Sequence, residues 1–393
     1  MKGSQGLVAL LALTASAAYL ARVNLSVAGT LLMPEFGLSQ VQLGRVFSAF
    51  LLGYTLFMAP AGFLVDRLSP RRVLAIAAAL WVIGTGLTAA VTGAVALLAV
   101  RFLLGVAEAP TFPGSAKLIS REVSPLAQGR ANGIVLASIG LGSAIAPWLV
   151  TALMMRWGWR VAVAATAVPA LVAAVAWSRT RSSPVIEAPV AGRRFAVPSS
   201  ASFVLLTLSY TLQGYVGYIF VFWFYLYLVE VRHFDLLRSA MLTSLPWLLS
   251  IVAIPLGGWL SDRLVQRWGT TWGRRAIPLV ALLAAGVLLA VGARTENGYA
   301  AAVYLALSTA CVLCVEGPFW ATMMEISGPA SGAGGGVMNL GSNLGGMISP
   351  ALTPWLASLW GWQPALDLAA VFSVLAAVLW LGVTVTTQPE ATA

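Results

Sequence analysis

Charge is what this chain has least of. Only 9% of its 393 residues are Asp, Glu, Lys or Arg, against roughly 25% in an ordinary soluble domain, while 59% are hydrophobic. No water-soluble fold of this length could hide so much apolar surface. Histidine is nearly absent as well, and with His233 as the one copy a histidine cluster is excluded. Cysteine is limited to Cys311 and Cys314 inside one apolar run, where they read as small buried residues rather than a zinc site or a disulfide. No nucleophile–base pair, metal set or soluble output domain can be picked out, so no catalytic or metal site is expected and the chain is not read as an enzyme.

What is abundant is the apolar run. Stretches long enough for the roughly 20 residues that cross a ~30 Å hydrocarbon core recur from Leu7 to Thr387 with short polar breaks. Backbone groups in lipid must be hydrogen-bonded within their own segment, and the alternation of a barrel is absent, so the runs are helices. Spans are expected near 7–32, 42–65, 73–92, 95–118, 130–153, 160–178, 202–229, 239–260, 276–293, 298–324, 333–357 and 363–386. The first follows only Met1 to Gly6 with no small-residue cleavage site, which marks a retained helix rather than a signal peptide. The expected fold class is an all-α membrane protein.

The formal charge of +10 does not indicate a nucleic-acid partner, because its placement explains it. Arg67, Arg71, Arg72, Lys117, Arg121, Arg130, Arg179, Arg181, Arg193, Arg194, Arg263, Arg267, Arg274 and Arg275 fall beside the even-numbered breaks, and the odd-numbered breaks hold few. That asymmetry predicts cytoplasmic termini and a bacterial inner (plasma) membrane location.

An internal repeat divides the chain. Gly62-FLV-Asp66-Arg67-LSP-Arg71-Arg72 after span two returns as Gly258-WLS-Asp262-Arg263-L, followed by Gly273-Arg274-Arg275. Glu108-Ala109-Pro110 is echoed by Glu316-Gly317-Pro318. LGSAIAP at 141–147 with Trp157-Gly158-Trp159 is echoed, at one offset, by LGGMISP at 344–350 with Trp360-Gly361-Trp362. The expected organisation is a six-helix bundle over 1–178, a cytoplasmic linker over 179–200 rich in Pro, Arg and Ser, and a second, pseudo-symmetric six-helix bundle over 201–393. A duplicated unit of this kind predicts a solute site between the halves near mid-membrane, reached alternately from either side. Asp66, Arg67, Arg130, Asp262 and Arg263 are the expected cytoplasmic gate, either a latch of carboxylate and guanidinium or charge that only sets topology.

An ionisable group at bilayer depth costs at least ~2.5 to 3.5 kcal/mol on insertion scales, so each is a functional candidate. Arg22 lies mid-span with Tyr19 and Ser26 on its helical face, and Arg101 and Glu108 lie two turns apart in span four. Two guanidiniums at a cavity suit an organic anion, since arginine stays charged and grips a carboxylate bidentately. Glu108, pulled one way by desolvation and the other by arginine, can exchange a proton as solute comes and goes. The alternatives are a structural Arg101–Glu108 pair joining helices, or an Arg101 that snorkels to the outer headgroups. Glu316, at the equivalent position of the second half, is either a second proton site or satisfied by its neighbours. Arg45 and Asp367 read as snorkelling or capping residues. Tyr54, Gln213, Tyr215, Tyr218, Asn339 and Asn343 complete the polar candidates for the cavity, the last two in a stretch whose glycines imply close helix contact. The run from Gly328 to Gly336 lacks the ending of a phosphate loop and is expected to be a flexible connection.

These strings together resemble the major facilitator superfamily, and within it the anion:cation symporter family, whose members include bacterial sugar-acid symporters and animal sialin and vesicular glutamate transporters. The likeness is carried by Arg22-Val-Asn24-Leu-Ser26, Phe50-LL-Gly53-Tyr54, RFLLGVAEAPTFP at 101–113, Gly129-Arg130-Ala131-Asn132-Gly133, YLVEVRHF at 227–234, Gly317-Pro318-Phe319-Trp320-Ala321 and NLGSNLGG at 339–346. The resemblance implies the major facilitator fold of twelve helices, a substrate carboxylate on Arg22 and Arg101, proton coupling through Glu108, and a cavity lined by Tyr54, Trp320 and Asn343. One departure stands out. Where proton-coupled bacterial members carry an aspartate before the first-span arginine, this chain has Ala21. The expected activity is proton-coupled uptake of a small organic anion by a single chain in lipid, with no cofactor beyond the coupling proton. The alternatives are exchange or facilitated passage without protons, and export of amphipathic compounds.

Overall fold

The computed structural model describes residues 2–180 and 199–385; of the linker expected over 179–200, residues 181–198 lie outside the described residues. Every extended element among the described residues is helical. In chain order they are α1 (Lys2–Phe36), α2 (Gln40–Arg67), α3 (Pro70–Ala90), α4 (Ala94–Glu108), α5 (Thr111–Glu122), α6 (Pro125–Ala165), α7 (Ala167–Arg179), α8 (Ala201–Phe222), α9 (Phe224–Glu230), α10 (Leu236–Arg294), α11 (Gly298–Cys314), α12 (Glu316–Ser327), α13 (Ser331–Trp360) and α14 (Trp362–Leu379).

Helix length and glycine turn this list into membrane crossings. At 1.5 Å per residue, the 41 residues of α6 and the 59 of α10 would run about 60 and 90 Å, two to three times the hydrocarbon thickness. Each contains one glycine with left-handed backbone, Gly158 (φ 79°, ψ 166°) and Gly269 (φ 78°, ψ 167°), where one helix stops and another starts. Gly361 (φ 89°, ψ 167°) does the same between α13 and α14. A residue with a Cβ meets strain there, which is why the Trp-Gly repeat marks the turns. In the other direction, α4 with α5, α8 with α9, and α11 with α12 are single crossings interrupted at Ala109–Pro110, Trp223 and Val315. Nine described helices are long and apolar enough to span a membrane. Two of them contain the Gly158 and Gly269 turns and count twice; α13, diluted by Gly, Ser and Asn, brings the crossings to twelve.

Several helices, α1, α6 and α10 among them, overrun the expected spans by a turn or more, because hydropathy marks only the part in lipid while the backbone stays hydrogen-bonded beyond it; α3 and α14 end short of theirs. Caps set several of the true ends. Ser39 and Gln42 form a capping box at the start of α2, and the Asn297 side chain accepts from the Ala300 amide at the start of α11. One expectation fails: the stretch from Gly332 to Gly336 is the first turn and a half of α13 and not a flexible connection. Gly334 and Gly335 pack against Ser327, Met323 and Trp320 too closely for a side chain, so contact holds as helix what composition reads as loop.

The described residues fall into two compact units, one drawn from Met1–Val190 and Val221–Leu248, the other from Ala191–Phe220 and Leu249–Ala393. Within each, glycine lets backbones touch. A methyl on Gly142 of α6 would strike the Ser16 carbonyl of α1, and one on Gly345 of α13 would strike the Thr211 carbonyl of α8. The two glycines occupy the same place in the repeated LGS/LGG strings, so the repeat conserves a contact as well as a pattern. In the first unit Gly53 of α2 lies against the Phe102 carbonyl of α4, and Gly105 of α4 against the Phe50 carbonyl of α2. This reciprocal approach sets the spacing of the two helices that carry Phe50, Tyr54, Arg101 and Glu108.

Candidate functional site

The first unit gathers three ionisable residues inside its membrane crossings, Arg22 in α1 and Arg101 and Glu108 in the crossing made by α4 and α5. Arg22 lies fourteen residues before the end of α1, and Glu108 fourteen residues after the start of α4. At the helical rise both are about 21 Å from the face opposite the basic one, and Arg101 about 10 Å from it. Arg22 Nη2 donates to Glu108 Oε1, and the two side chains form a buried ion pair. Its Nη1 donates to the Tyr19 hydroxyl at 3.3 Å. The guanidinium carbon lies over three rings, 4.5 Å from the centroid of Tyr19, 5.1 Å from Phe50 and 5.0 Å from Tyr54. Such stacking suits a delocalised, weakly hydrated cation.

Arg101 is held differently. It is fully buried at 0% exposure, and Nε, Nη1 and Nη2 meet no hydrogen-bond acceptor among the described residues. Its guanidinium carbon lies 5.0 Å over the Phe50 ring, and the charged groups acting on it are Glu108 and Arg22. A buried charge with unmet donors is destabilising unless something pairs with it. The structure therefore brings Arg22, Glu108 and Tyr54 together, and it ties Glu108 to Arg22 on another helix and not to Arg101 on its own. Asn24 serves as a helix tie, its Nδ2 donating to Thr166 Oγ1 at 2.8 Å.

In the second unit the carboxyl of Glu316 has no ion-pair partner among the described residues. Glu316 accepts from the Tyr210 hydroxyl at 2.8 Å and from Gln213 Nε2 at 2.9 Å, and the Trp320 indole is close enough to donate to it as well. Gln213 Nε2 also reaches the Val312 carbonyl at 3.1 Å. Asn343 Nδ2 donates to the Asn339 carbonyl at 2.9 Å, and the Tyr218 hydroxyl to Asn343 Oδ1 at 3.3 Å. Tyr215 instead pairs with Thr353 at 3.0 Å. Glu316 differs from Glu108 in its place relative to the helix break. Glu108 is the last residue of α4, before the interruption, while Glu316 is the first of α12, after it. The Glu-x-Pro echo is a likeness of letters that the helix breaks do not preserve.

On the basic face the expected gate residues divide. The side chain of Asp66 lies outside those described. Arg67 stacks over Phe63 at 4.0 Å, and Arg263 over Trp259 at 5.3 Å, the same i−4 pairing in both repeats. Arg130 is exposed. Asp262 pairs not with Arg263 but with Arg274, whose Nη1 lies 2.6 Å from Asp262 Oδ1 while Nη2 lies 2.6 Å from Glu325 Oε1. In the first unit Arg71 pairs with Glu122. Both ion pairs join residues 51 positions apart, a regularity visible in the sequence once the carboxylates at the ends of spans four and ten are set beside the arginines. Of the two residues expected at the opposite surface, Arg45 is exposed and Asp367 pairs with Arg294 at 2.5 Å. Phe50 and Tyr210 were not among the expected site residues; Phe50 sits one turn before Tyr54, and Tyr210 one turn before Gln213.

Comparison with known proteins gives the same picture from outside. The family model described as Major Facilitator Superfamily matches residues 11–339. The chain is 30% identical to a probable sulfoacetate transporter of Cupriavidus necator, over 86% of this chain and 84% of that one. It is 26% identical to the hexuronate transporter of Bacillus subtilis, over 92% and 90%. A solved structure of a bacterial homologue of the human lysosomal transporter Spinster superposes with a TM-score of 0.83 at 18% identity, covering 97% of this chain and 96% of that one. At that identity the likeness shows the fold.

Proposed function

The chain belongs to the Major Facilitator Superfamily, an integral membrane family of transporters, and from that premise we propose that it takes up a small organic anion, a sugar acid or other carboxylate, together with protons, by alternating access. Relatives named for sulfoacetate and hexuronate support the anion. The observation that carries the reading is Arg101, a fully buried guanidinium with no acceptor for any of its nitrogens among the described residues. A carboxylate is the group that satisfies such a fork. Arg22 is the second anion-binding group and Tyr54 shapes its surroundings; within the second unit Gln213, Trp320, Asn339 and Asn343 are the polar candidates for substrate contact. Glu108 and Glu316 carry protons. The Arg71–Glu122 and Arg274–Asp262–Glu325 pairs act with Arg67, Arg130 and Arg263 at the cytoplasmic gate. The basic face is cytoplasmic, both termini lie there, the membrane is the bacterial inner membrane, and one chain forms the pathway.

Glu108 is where transport couples to protons. While Glu108 is ionised it holds Arg22; an arriving anion competes for Arg22 and leaves the carboxylate free to take a proton. Uptake of labelled carboxylates into proteoliposomes under an imposed pH gradient tests the reading. Arg22→Ala and Arg101→Ala are each expected to abolish uptake, and uptake indifferent to both would sink it. Glu108→Gln is expected to lose proton-driven accumulation while counterflow exchange survives. The intact Arg22–Glu108 pair also favours a second reading, an exchanger that keeps Glu108 ionised throughout; wild-type accumulation insensitive to the pH gradient would select it.

A further inference from the structure

The charges around Glu108 do not cancel. Arg22 from α1 and Arg101 from α4 share a single carboxylate. Both guanidiniums also lie about one benzene ring, their carbons 5.1 and 5.0 Å from the Phe50 centroid, so they can be no further apart than the sum of those two distances. Phe50 is fully buried, and its carbonyl is pressed against Gly105, so the ring has little freedom to move aside. Among the described residues the charged groups acting on the Glu108 carboxyl are Arg22 of α1 and Arg101 of α4, with Tyr19 of α1 and Tyr54 of α2 about the Arg22 guanidinium. The two arginines stay charged at any physiological pH, so the cluster's net charge follows Glu108.

With Glu108 ionised, the cluster carries one excess positive charge, on Arg101. With Glu108 protonated it carries two. A monoanion therefore balances the unprotonated cluster, and a proton on Glu108 is balanced only by a solute with two negative charges; a monoanion would leave one guanidinium bare in a site screened from water. Resting on the proton-coupled reading above, we propose that the solute is a short dianion, one acidic group on Arg22 and the other on Arg101 with Phe50 as the spacer, accompanied by one proton on Glu108. The proton comes from the water that brings the solute. The carboxylate becomes a neutral acid, Arg22 exchanges that carboxylate for the solute's, and no other bond is made or broken.

Pairs of acids matched in skeleton and differing in charge test this on the full-length protein in liposomes: glucarate against gluconate, succinate against its monomethyl ester, and sulfoacetate against acetate. The pair that binds is expected to favour the dianion by about tenfold or more in affinity. In weakly buffered solution, dianion binding is expected to take up about one proton, and close to none in Glu108→Gln. Phe50→Leu, which keeps bulk and loses the ring, is expected to narrow the dianion preference several-fold with little change for the monoanion, whereas general damage would weaken both alike; Phe50→Tyr, a more conservative change, is expected to keep the preference. A monoanion bound as tightly as its dianion, or proton uptake unchanged by Glu108→Gln, would overturn the inference and leave anion transport standing. Failure of every carboxylate in a wider panel to bind or be taken up would overturn both.

Discussion

Among the described residues no hydrogen bond ties Arg101 into the fold, and its removal separates function from stability. An uncompensated charge at membrane depth costs about 2.5 kcal/mol or more, so Arg101→Met, similar in length and apolar, is expected to raise the thermal unfolding midpoint of the purified protein while abolishing uptake. Arg101→Lys keeps the charge but not the planar fork, and is expected to lower apparent affinity about tenfold. A melting point lowered by Arg101→Met would mean that the guanidinium has a structural partner. At this scale the sequence showed which residues matter and not which of them meet. Arg22, Arg101 and Glu108 are conspicuous because charge is rare in apolar runs. Arg101 and Glu108 lie seven residues apart, about 10 Å of rise, yet the hydrogen-bonded partner of Glu108 came from α1, a contact that no periodicity reports. Tyr210 was hidden for a related reason: a tyrosine in an apolar helix looks the same whether it meets a ring or, as here, a carboxyl.

Among the elements, α2 and α4 matter most to the site, because their glycines fix where Phe50 and Arg101 stand. A methyl on Gly105 cannot be absorbed, since it would meet backbone atoms of Phe50 and Tyr54. Gly105→Ala is expected to destabilise by about 1–3 kcal/mol and to weaken anion binding as the helices part. Gly86→Ala, in α3 with open space around it, is expected to be neutral or slightly stabilising through helix propensity, about 1 kcal/mol at most. Equal melting points for the two variants would contradict the close approach. Which segments form helices was legible from hydropathy throughout. What hydropathy did not show was the interior of the crossings, the breaks at Ala109–Pro110, Trp223 and Val315, because apolar composition runs through them unchanged. The glycine-rich start of α13 misled in the opposite sense, as packing against Met323 and Trp320 outweighs a low intrinsic propensity.

At the level of the whole molecule the repeat is the organising fact, and it predicts effects of one direction but unequal size. Among the described residues, Arg274 is nearly buried and bonded to two carboxylates, while Arg71 is more exposed and bonded to one. Arg274→Met is expected to destabilise by about 2 kcal/mol, reduced from the fully buried case by the exposure of Asp262, and Arg71→Met by about 0.5 kcal/mol. Both are expected to slow uptake without removing anion binding, measured as ligand-induced thermal stabilisation. The opposite ordering would show that the second repeat does not depend on its three-membered cluster. The family was legible in full because its motifs are strings, while the division of labour between Arg263 and Arg274 was not, since both arginines follow Asp262 and only the fold of the chain at Gly269 selects one.

The glycine turns also shape how the molecule meets its surroundings. At the ends of the crossings away from the repeated Asp-Arg segments, consecutive crossings are joined by residues 37–39, 91–93, 231–235 and 295–297, and at two places by Gly158 or Gly361 alone. Such tight hairpins give a protease almost no extended strand to seize and an antibody almost no epitope. Labels or tags meant to be reached from that side are best placed in 231–235, the longest of these connections, and a tag inserted at Gly158 or Gly361 would force apart the two helices that the glycine joins.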